Sequence, residues 1–447
     1  MRWVKLRLGD VCKKIGSGAT PRGGSNVYLD SGPVSFIRSQ NIYNERFSYQ
    51  GLVFIDEDTA TTLQNVQVEE KDILLNITGD SVARACQVPN TILPARVNQH
   101  VAIIRTDHNQ LSPTYLRYFL NSPEMQAHML ALAAAGATRN ALTKGMIEDF
   151  EIECPASVVN QESVTIILKN LDKKTELNRK TNETLEAMAR TLFQAWFVDF
   201  EPVWAKMEGR WKRGQSLPGL PAHLYDLFPD RLVEAELGNI PDGWHISTIG
   251  DEVSVYGGGT PSTKEPTFWQ GGIHCWATPK DLSSLKAPVL MDTERKLTDQ
   301  GLSKIGSGLL PRGTVLLSSR APIGYLAITE MRTAVNQGFI AMVCSKTITN
   351  LFALFWCHAN MDAIVGRANG STFQEISKSN FRQIPVITPS PAVMDSFQKI
   401  ASPIYSQLVE NEKESDSLTQ LRDTLLPRLL SGELRVPEAE RLAEEVL

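Results

Sequence analysis

Two hydrophobic patterns alternate along the chain, and each of them occurs twice. The first is a series of short apolar runs separated by Gly, Pro, Asn and Asp, which is typical of strands joined by loops. A helical segment and a short strand that ends at Pro155 or Pro389 complete each copy. The apolar runs are VSFIRSQNI (34–42), DILLNIT (72–78) and HVAIIRT (100–106) in the first copy, and TVLLSSR (314–320) and GFIAMVC (338–344) in the second.

The second pattern is a heptad spacing of apolar residues after each copy, which predicts two helices of about 30 to 35 residues, roughly 50 Å long. Asn178 and Asn411 interrupt the two apolar stripes at equivalent positions, where a buried Asn commonly fixes helix register. We therefore expect the helices to pack on each other; the alternative is that each packs on its own module. The stripes contain Val164, Ile167, Leu171, Leu185, Met188 and Leu192, and then Phe397, Ile400, Ile404, Leu418, Leu421 and Leu425.

Shared landmarks show that the chain is an internal repeat with an offset of about 240 residues. A repeat of this length lets each copy hold its own core, so the sequence predicts two similar modules related by a pseudo-twofold axis. Each module should then carry a similar site. The matched landmarks include Trp3 with Trp244, Thr20-Pro21 with Thr260-Pro261, and Val97-Asn98-Gln99 with Val335-Asn336-Gln337.

The composition is that of a globular protein of two to three domains, with 447 residues, 42% hydrophobic and 21% charged. We find no apolar run of membrane-spanning length and no signal peptide. The six cysteines are scattered without a C-x-x-C pair, which favours a reducing cytoplasm over a disulfide framework or a zinc site. The net charge of -5 does not demand a nucleic-acid partner. However, the acidic excess lies in the helical regions, while residues 243–389 carry 13 basic against 10 acidic side chains.

Common catalytic signatures are missing from the sequence. We find no phosphate-binding G-x-x-x-x-G-K-[ST], no H-E-x-x-H, no G-x-S-x-G and no methyltransferase Asn-Pro-Pro-aromatic motif. The seven histidines are dispersed and carry no metal-ligand spacing. We therefore predict no catalytic residues and no metal site.

Each module instead contains short loops rich in Gly and in polar or basic residues. Arg, Lys, Asn and Gln are the side chains that recognise base edges, and Ser, Thr and backbone amides hold phosphates. Any one of these residues could equally serve a turn, but the loop positions recur in both copies with different side chains. The candidate DNA-binding residues are Lys13, Lys14, Ser17, Thr20, Arg22, Arg38, Gln40, Asn41, Asn76, Thr78, Arg84, Arg139, Asn140 and Lys144 in the first copy, and Tyr256, Thr260, Thr263, Lys264, Lys280, Ser318, Ser319, Arg320, Tyr325, Thr372, Gln374 and Lys378 in the second.

Four segments carry a family resemblance. They are LFQAWFVDFEPVWAK (192–206) and LRDTLLPRLLSGELRV (421–436), which end the two helices, and the module openings WVKLRLGDV and GWHISTIGDEV. Through them the chain bears a resemblance to the DNA-specificity subunit of Type I restriction-modification systems, and this resemblance extends along nearly its whole length. It implies an α/β fold in which two pseudo-twofold-related target recognition domains are separated by two long antiparallel coiled-coil-like helices. The predicted segments are residues 1–157 (target recognition domain 1, here module 1), 158–200 (central spacer helix), 201–242 (linker), 243–391 (target recognition domain 2, here module 2), 392–434 (C-terminal spacer helix) and 435–447 (tail).

The resemblance also implies a non-catalytic reader, in which each domain binds half of a bipartite asymmetric site in double-stranded DNA. Two modification subunits, which methylate adenine with S-adenosylmethionine, and restriction subunits, which use ATP and Mg²⁺, would be the partners. None of these cofactors is expected on this chain. Other readings are a non-catalytic scaffold, the specificity part of another restriction-type enzyme, or one polypeptide that carries its own methyltransferase.

Apolar residues at the helix ends are candidates for the partner interface. They are equally good candidates for capping an intramolecular helix pair, so both roles stay open. These residues are Phe193, Trp196, Phe197, Phe200, Leu426, Leu429 and Leu430.

Overall fold

The computed structural model describes residues 2–44, 46–135, 140–370 and 374–444. The chain forms two compact units. Unit 1 comprises Met1–Glu176 with Ser415–Leu447, and unit 2 comprises Leu177–Glu414. Module 1 thus lies in unit 1 and module 2 in unit 2, and each long helix contributes one part of its length to each unit.

Module 1 is built from short strands and short helices. Its strands are β1 (Trp3–Arg7), β2 (Cys12–Ser17), β3 (Val34–Ile37), β4 (Val53–Ile55), β5 (Gln67–Val68), β6 (Ile73–Asn76), β7 (Ala85–Gln87), β8 (Ala95–Val97), β9 (Val101–Thr106) and β10 (Glu151–Pro155). Its helices are α1 (Glu57–Thr62), α2 (Pro113–Asn121), α3 (Pro123–Ala134) and α4 (Lys144–Glu148). One antiparallel sheet has the order β2-β9-β6-β7, and the second has the order β4-β3-β8-β5, in which β3 and β8 are parallel. The first and last strands, β1 and β10, pair with each other.

The long helix α5 (Val158–Phe197) follows module 1 and is succeeded by the linker. The linker contains α6 (Glu201–Met207) and a hairpin of β11 (Leu232–Ala235) with β12 (Gly238–Pro241). Its aromatic residues Trp211 and Phe228 are buried in the core of unit 2, whereas Trp204 is exposed. The linker is therefore packed on unit 2 through Trp211 and Phe228.

Module 2 repeats the strand pairings of module 1. Its strands are β13 (His245–Thr248), β14 (Ser254–Tyr256), β15 (His274–Ala277), β16 (Val289–Leu290), β17 (Arg295–Leu297), β18 (Val315–Ser319), β19 (Ile323–Thr329), β20 (Thr333–Val335), β21 (Phe339–Val343) and β22 (Pro385–Thr388). Its helices are α7 (Ile249–Glu252), α8 (Pro279–Ser283), α9 (Asp299–Leu302), α10 (Asn350–Ala359), α11 (Met361–Gly366) and α12 (Lys378–Arg382). In the sheet β14-β21-β18-β19-β16 the first four strands correspond to β2-β9-β6-β7, and β16 adds a parallel edge strand. The three-stranded sheet β17-β15-β20 corresponds to β4-β3-β8 and has the same parallel pair, β15 with β20, like β3 with β8. The terminal strands β13 and β22 pair as β1 and β10 do. The predicted duplication is therefore a duplication of fold.

Equivalent helices in the two modules also begin with the same chemistry. Ser112 and Thr349 are the N-caps of α2 and α10, and their hydroxyl oxygens accept hydrogen bonds from the backbone N–H groups of Tyr115 (3.5 Å) and Phe352 (3.3 Å). Such a cap satisfies a donor that the first helical turn leaves free. Both helices then bury most of their apolar side chains against the neighbouring sheets.

Helix α13 (Pro391–Leu430) follows module 2, and α14 (Val436–Glu444) follows α13. Helices α5 and α13 are each 40 residues long, about 60 Å at ~1.5 Å per residue, and thus longer than predicted. In unit 1, Ile167 and Leu171 of α5 share a core with Leu418 and Leu425 of α13. In unit 2, Asn182 lies against Leu408. Because rising numbers on α5 meet falling numbers on α13, the helices pair antiparallel, and the predicted mutual packing is confirmed.

A buried polar layer joins the two helices within unit 2. The amide of Asn178 donates to the backbone oxygen of Asn411 at 3.4 Å, and the amide of Asn411 donates to the side-chain oxygen of Asn182 at 2.8 Å. Carboxylates of Glu414 and Glu412 accept further bonds, each at 2.7 Å, from Asn178 and Asn182. Asn178 and Asn411 were expected to coincide, and they do. Displacing one helix by a turn would leave these buried groups without partners, so the layer selects one register.

The apolar residues at the helix ends are interior residues, so their assignment to a partner interface is corrected to intramolecular packing, the other role left open for them. The Phe193 ring lies within 5.1 Å of Phe352 and 6.0 Å of Phe397, measured between centroids. Trp196 contacts Phe228 at 5.0 Å. The carboxyl end of α5 is therefore part of the core of unit 2, because large aromatic rings gain most when they are fully removed from water. The same correction applies to Phe197, Phe200, Leu426, Leu429 and Leu430, which are all buried.

Candidate nucleic-acid interface

In module 1, five loops meet at one end of the sheets. The loop after β2 lies against the turn after β8, since the N–H of Ala19 donates to the oxygen of Val97 at 3.1 Å. The N–H of Asn98 donates to Ile37 at 3.0 Å, which brings in the segment after β3. The N–H of Leu142 donates to Ile77 at 2.9 Å, which joins the segment before α4 to the loop after β6. These contacts form the loop cluster of module 1.

Module 2 builds the same cluster with the same main-chain bonds. The N–H of Gly259 donates to Val335 at 3.0 Å, and the N–H of Asn336 donates to Ala277 at 3.0 Å. The N–H of Ile376 donates to Ser319 at 3.1 Å. Each of these bonds has its counterpart at the equivalent position of module 1. The loops were predicted from composition, and the structure brings them together twice.

Close backbone contact explains the glycine in each loop after the first sheet strand. A Cβ on Gly18 would lie 2.2 Å from the oxygen of Val97, and one on Gly258 would lie 1.6 Å from the oxygen of Val335. No side chain fits at such distances. The glycines therefore let the loop pack on the neighbouring turn, and neither of the two has a positive φ angle.

The asparagine of each Val-Asn-Gln segment stabilises its own turn. The Asn98 side-chain oxygen accepts from the N–H of His100 at 3.2 Å, and that of Asn336 accepts from the N–H of Gly338 at 2.9 Å. Such turns are a common use of Asn because its carbonyl mimics a main-chain acceptor. The following Gln99 and the equivalent Gln337 are exposed at the centre of each cluster.

Several predicted contact residues instead support the loops from inside, and their assignment to DNA contact is corrected here. The Asn41 side-chain oxygen accepts from the N–H of Arg38 at 2.9 Å, and its amide donates to Ser48 at 3.0 Å. The amide of Asn76 donates to the oxygen of Ser39 at 2.9 Å. Ser318 bridges its own loop, donating to Pro322 and accepting from the N–H of Tyr325, both at 2.8 Å. These three side chains and Ser319 are buried, so a duplex cannot reach them.

Two predicted lysines lie at the wrong end of β2. Lys14 pairs with Arg105 near the far end of β9, and its ammonium donates to the oxygen of Asn65 at 2.8 Å. Lys13 lies 3.8 Å from the carboxylate of Asp107. Burial lowers the pKa of Lys14. The sequence placed both residues next to the glycine loop, but a strand of six residues separates its two ends by about 17 Å at ~3.3 Å per residue.

The remaining candidates lie at or near the surface of the clusters. Arg84 lies 4.9 Å from the Tyr43 ring centroid, Thr260 donates to the side-chain oxygen of Gln337 at 2.5 Å, and Lys280 pairs with Glu294 at 2.7 Å. That hydrogen bond to Glu294 raises the pKa of Lys280. The exposed candidates are Ser17, Thr20, Arg22, Gln40, Asn140, Lys144, Tyr256, Thr260, Thr263, Lys264, Lys280, Gln374 and Lys378, and the partly exposed ones are Arg38, Thr78, Arg84, Arg320 and Tyr325. Arg139 and Thr372 lie outside the described residues.

One cation beside the loop cluster of module 2, Arg295, is not among the predicted contact residues. The guanidinium of Arg295 lies 3.5 Å from the ring centroid of Trp269 and 5.5 Å from that of Trp276. Both indoles hold the glycine loop, since Trp276 donates to Gly259 at 3.1 Å and Trp269 donates to Ser262 at 3.0 Å. Arg295 therefore sits beside the loop cluster with its orientation fixed by stacking. Because it lies on a strand rather than in a glycine loop, its sequence context gave no signal.

Other reactive chemistry is sparse in the part of the chain that the structure describes. No group of three or more His, Cys, Asp or Glu side chains there could hold a metal ion. The buried thiols have raised pKa values, to about 12 for Cys86 and about 11 for Cys154, because burial disfavours the thiolate. Within the same residues, no helix has the length and hydropathy needed to cross a bilayer.

Comparison with known proteins gives a consistent result. The family described as Type I restriction modification DNA specificity domain matches residues 1–187 and again residues 241–421. The specificity subunit of the Type I restriction enzyme HindI of Haemophilus influenzae is 24% identical over 97% of this chain and 99% of its own length. That of MjaIX of Methanocaldococcus jannaschii is 34% identical, over 42% of this chain and 43% of its own length.

One solved structure supports the fold. The S subunit of a Type I restriction-modification system from M. genitalium aligns with a TM-score of 0.55 at 14% identity, over 96% of each chain. The two family matches together span well over half of the chain and coincide with the two modules and the helices that follow them. The chain belongs to the Type I restriction-modification DNA specificity family.

Proposed function

We propose that this chain is the non-catalytic DNA-specificity subunit of a Type I restriction-modification enzyme, in which each module reads one half of a bipartite asymmetric site. The observation that carries the proposal is the duplicated loop cluster. Its buried supports are equivalent in both modules, whereas many of its exposed side chains differ. A reader of two different sequences needs such a constant support with a variable surface.

The exposed side chains have the chemistry of base recognition. In module 1 the cluster presents Arg22, Arg84 and Asn140, and in module 2 it presents Lys264 and Gln374 at equivalent loops. Arg and Lys pair with guanine, and Asn and Gln pair with adenine, through the major-groove edges. We therefore expect the two modules to prefer different base sequences.

The helices α5 and α13 are proposed to set the spacing between the half-sites. Their polar layer of Asn178, Asn182 and Asn411 holds them in one register, so the length of the pair is fixed. Adding one heptad to each helix should change the number of base pairs between the half-sites and leave both half-site sequences unchanged. A changed base within either half-site would contradict this role.

An exposed apolar stripe on α5 is the proposed docking surface for the modification subunits. Val159 and Ile166, in the part of α5 within unit 1, are 72% and 49% exposed. Leu177 and Met188, in the part within unit 2, are 57% and 55% exposed. Val159 and Ile166 are 7 residues apart, and Leu177 and Met188 are 11 residues apart, so within each unit the two members share a helix face. Most exposed positions of α13 are polar or charged by comparison, including Lys399, Glu410 and Asp423.

This surface replaces the interior residues that the sequence suggested. Leu177→Glu and Met188→Glu should each weaken co-purification of the chain with its modification subunit, because a charge would face an apolar contact. Gln420→Glu, on the exposed face of α13, is the matched control and should leave the assembly intact. Equal loss with the control would remove α5 as the docking helix.

Catalysis and its cofactors are assigned to the partners. We propose that S-adenosylmethionine is bound by the two modification subunits, that ATP and Mg²⁺ are used by the restriction subunits, and that all act in the cytoplasm. Because the net charge is -5, we expect the isolated chain to bind DNA weakly and the assembly to supply more phosphate contacts.

The direct experiment is sequencing of methylated DNA from the host with and without this gene. We expect one bipartite motif, methylated on adenine in each half, to disappear when the gene is deleted. Replacing residues 1–157 with the module of a relative should change one half of the motif only. An unchanged methylation pattern after deletion would refute the proposed function.

A further inference from the structure

Most positions differ between the loop clusters, but three exposed residues are the same. Thr20 and Thr260, Gln99 and Gln337, and Lys144 and Lys378 occupy equivalent places. Their neighbours Pro21 and Pro261 are also identical, but those prolines are buried and packing explains them. Packing does not require identity at the exposed positions. A ligand that both modules share would explain why these exposed residues stayed the same while their neighbours diverged.

The three residues lie close to each other in module 2. Thr260 donates to the side-chain oxygen of Gln337 at 2.5 Å, so the Gln337 amide nitrogen is left as a donor. The ammonium of Lys378 lies against the same loop, since a Cβ on Gly257 would come within 2.6 Å of it. The site therefore presents a neutral donor and a cation beside a turn whose geometry Gly258 and Asn336 fix.

Module 1 holds the same three residues at equivalent places, with different side-chain partners. The Gln99 amide nitrogen lies 3.4 Å from Nε2 of His100, and the Lys144 ammonium lies 3.4 Å from the Glu148 carboxylate on the exposed side of α4. Lys144 and Ser17 line one cavity of about 180 Å³, and Ser17 is the counterpart of Gly257. The turn at Gln99 packs on the loop of Thr20 through the bond from Ala19 to Val97, as it does in module 2. Lys144 and Lys378 are each the first residue of a short helix capped by Thr143 or Ser377.

The glutamine amide and the lysine ammonium favour a phosphate over a base edge as the ligand. A base edge would differ between two unequal half-sites, because each base pair presents its own pattern of donors and acceptors. A phosphate offers acceptors alone and is the same at every step of the duplex. We infer that each module binds one DNA phosphate without regard to sequence. Gln99 and Lys144 contact it in module 1, Gln337 and Lys378 contact it in module 2, and Thr20 and Thr260 are positioning residues for the two glutamines. This inference rests on the proposed function and adds to it a common anchor for both half-sites.

Loss of this phosphate contact should lower DNA affinity by a predictable factor. Removing a hydrogen bond to a charged group costs enough to reduce affinity by about tenfold. Gln99→Ala and Gln337→Ala should each lower the affinity of the assembled enzyme by about this factor for its own site. They should lower it equally for a duplex with one base changed in each half-site, because phosphates are common to both. Gln337→Glu should bind more weakly than Gln337→Ala, since its carboxylate repels a phosphate.

The lysines provide a second readout. Lys144→Ala and Lys378→Ala should each reduce the slope of log affinity against log salt by about one, as expected for the loss of one phosphate contact. Gln110→Ala is the matched control, because Gln110 is exposed in module 1 but bonds Asp107 beside the far end of β9. It should change neither affinity nor salt dependence.

Fluorescence anisotropy with the purified assembly and the two duplexes measures all of these variants, and thermal melting confirms that each one is folded. A Gln99 or Gln337 variant that loses discrimination at one base pair would overturn the anchor and make that residue a base reader. A folded variant with unchanged affinity would also overturn it. In both cases the wild type would still discriminate between the duplexes, whereas a wild type that does not would count against the proposed function itself.

Discussion

The two modules differ far more at their surfaces than in their supports. Ala19–Val97, Asn98–Ile37 and Leu142–Ile77 bonds recur as Gly259–Val335, Asn336–Ala277 and Ile376–Ser319. The exposed residues around them change, with Arg22 and Asn140 in one module and Lys264 and Gln374 in the other. Main-chain bonds depend little on side-chain identity, so the surface can vary without loss of the cluster. A duplicated fold can thereby acquire two different specificities.

The largest difference between the two half-sites is expected when the close glycine contact of module 2 is removed. Gly258→Ala should disrupt the cluster of module 2, because its Cβ would lie 1.6 Å from the Val335 oxygen. We expect recognition of one half-site to fall by about a hundredfold or more, while the other half-site is still read. The neighbouring Gly259→Ala is the control, since a Cβ there has open space. Methylation of the host motif measures both variants, and equal effects would argue against the close contact as the cause.

Acid should lower the folding stability of unit 2 through His358. Burial, with Arg190 nearby, lowers the pKa of His358 in unit 2 to about 4, whereas an unfolded histidine titrates near 6.5. Between these values the unfolded chain takes up a proton that the folded chain refuses. The stability that this neutral histidine contributes is complete above pH 6.5 and is lost as the pH falls towards 4, by up to about 3 kcal/mol.

Tryptophan fluorescence can follow this change, because seven of the eight tryptophans lie in unit 2 and only Trp3 lies in unit 1. In urea titrations, the wild type should lose stability between pH 6.5 and 4.5, and His358→Gln should lose markedly less over the same range. Identical pH profiles for the two proteins would exclude His358 as the source.

Removal of the Arg295 side chain should change base recognition at a single position of one half-site. Its guanidinium is stacked on Trp269 beside the loop cluster of module 2, and a base contact by Arg contributes about 1–3 kcal/mol of discrimination. Arg295→Ala should therefore relax one base pair in one half-site. Arg295→Lys keeps the charge but not the planar stack, so it should relax the same position. If Arg295→Lys instead retained full discrimination, positive charge alone would account for the contact, and the planar stack on Trp269 would not be required.

The smallest expected effect concerns the exposed pair of Lys280 and Glu294, 2.7 Å apart. Glu294→Gln frees the lysine in module 2 and removes one negative charge near the cluster. We expect DNA affinity to rise by no more than about threefold and thermal stability to change little, because exposed ion pairs contribute little to folding. Anisotropy at low and high salt would check this, and the gain should vanish at high salt.

The sequence predicted the parts of the molecule that depend on periodicity. Apolar spacing predicted the helices and their mutual packing, and Asn178 and Asn411 marked the polar layer between them. Repeated landmarks predicted the duplicated fold. Positions within a stripe were less certain: Met188 belongs to the apolar series but is 55% exposed, and Ala189 is buried in its place.

Burial of particular side chains could not be predicted, because it depends on tertiary contacts. Phe193 and Trp196 look like an exposed apolar end, yet Phe352, Phe397 and Phe228 cover them. Asn41 has the chemistry of a base reader but is needed for its own turn. Gln99 and Gln337 were visible as repeat landmarks, although only their exposure identifies them as contact residues.

We expect each module to read its half-site independently of the other, and one chimaera tests this directly. In this chimaera, a second copy of residues 1–157 replaces residues 243–391, and both long helices are kept. Sequencing of methylated host DNA should then reveal a motif whose two halves are the same, separated by the original spacer. A motif with two different halves, or a new sequence unrelated to either original half, would contradict the claim that each module reads its half-site alone.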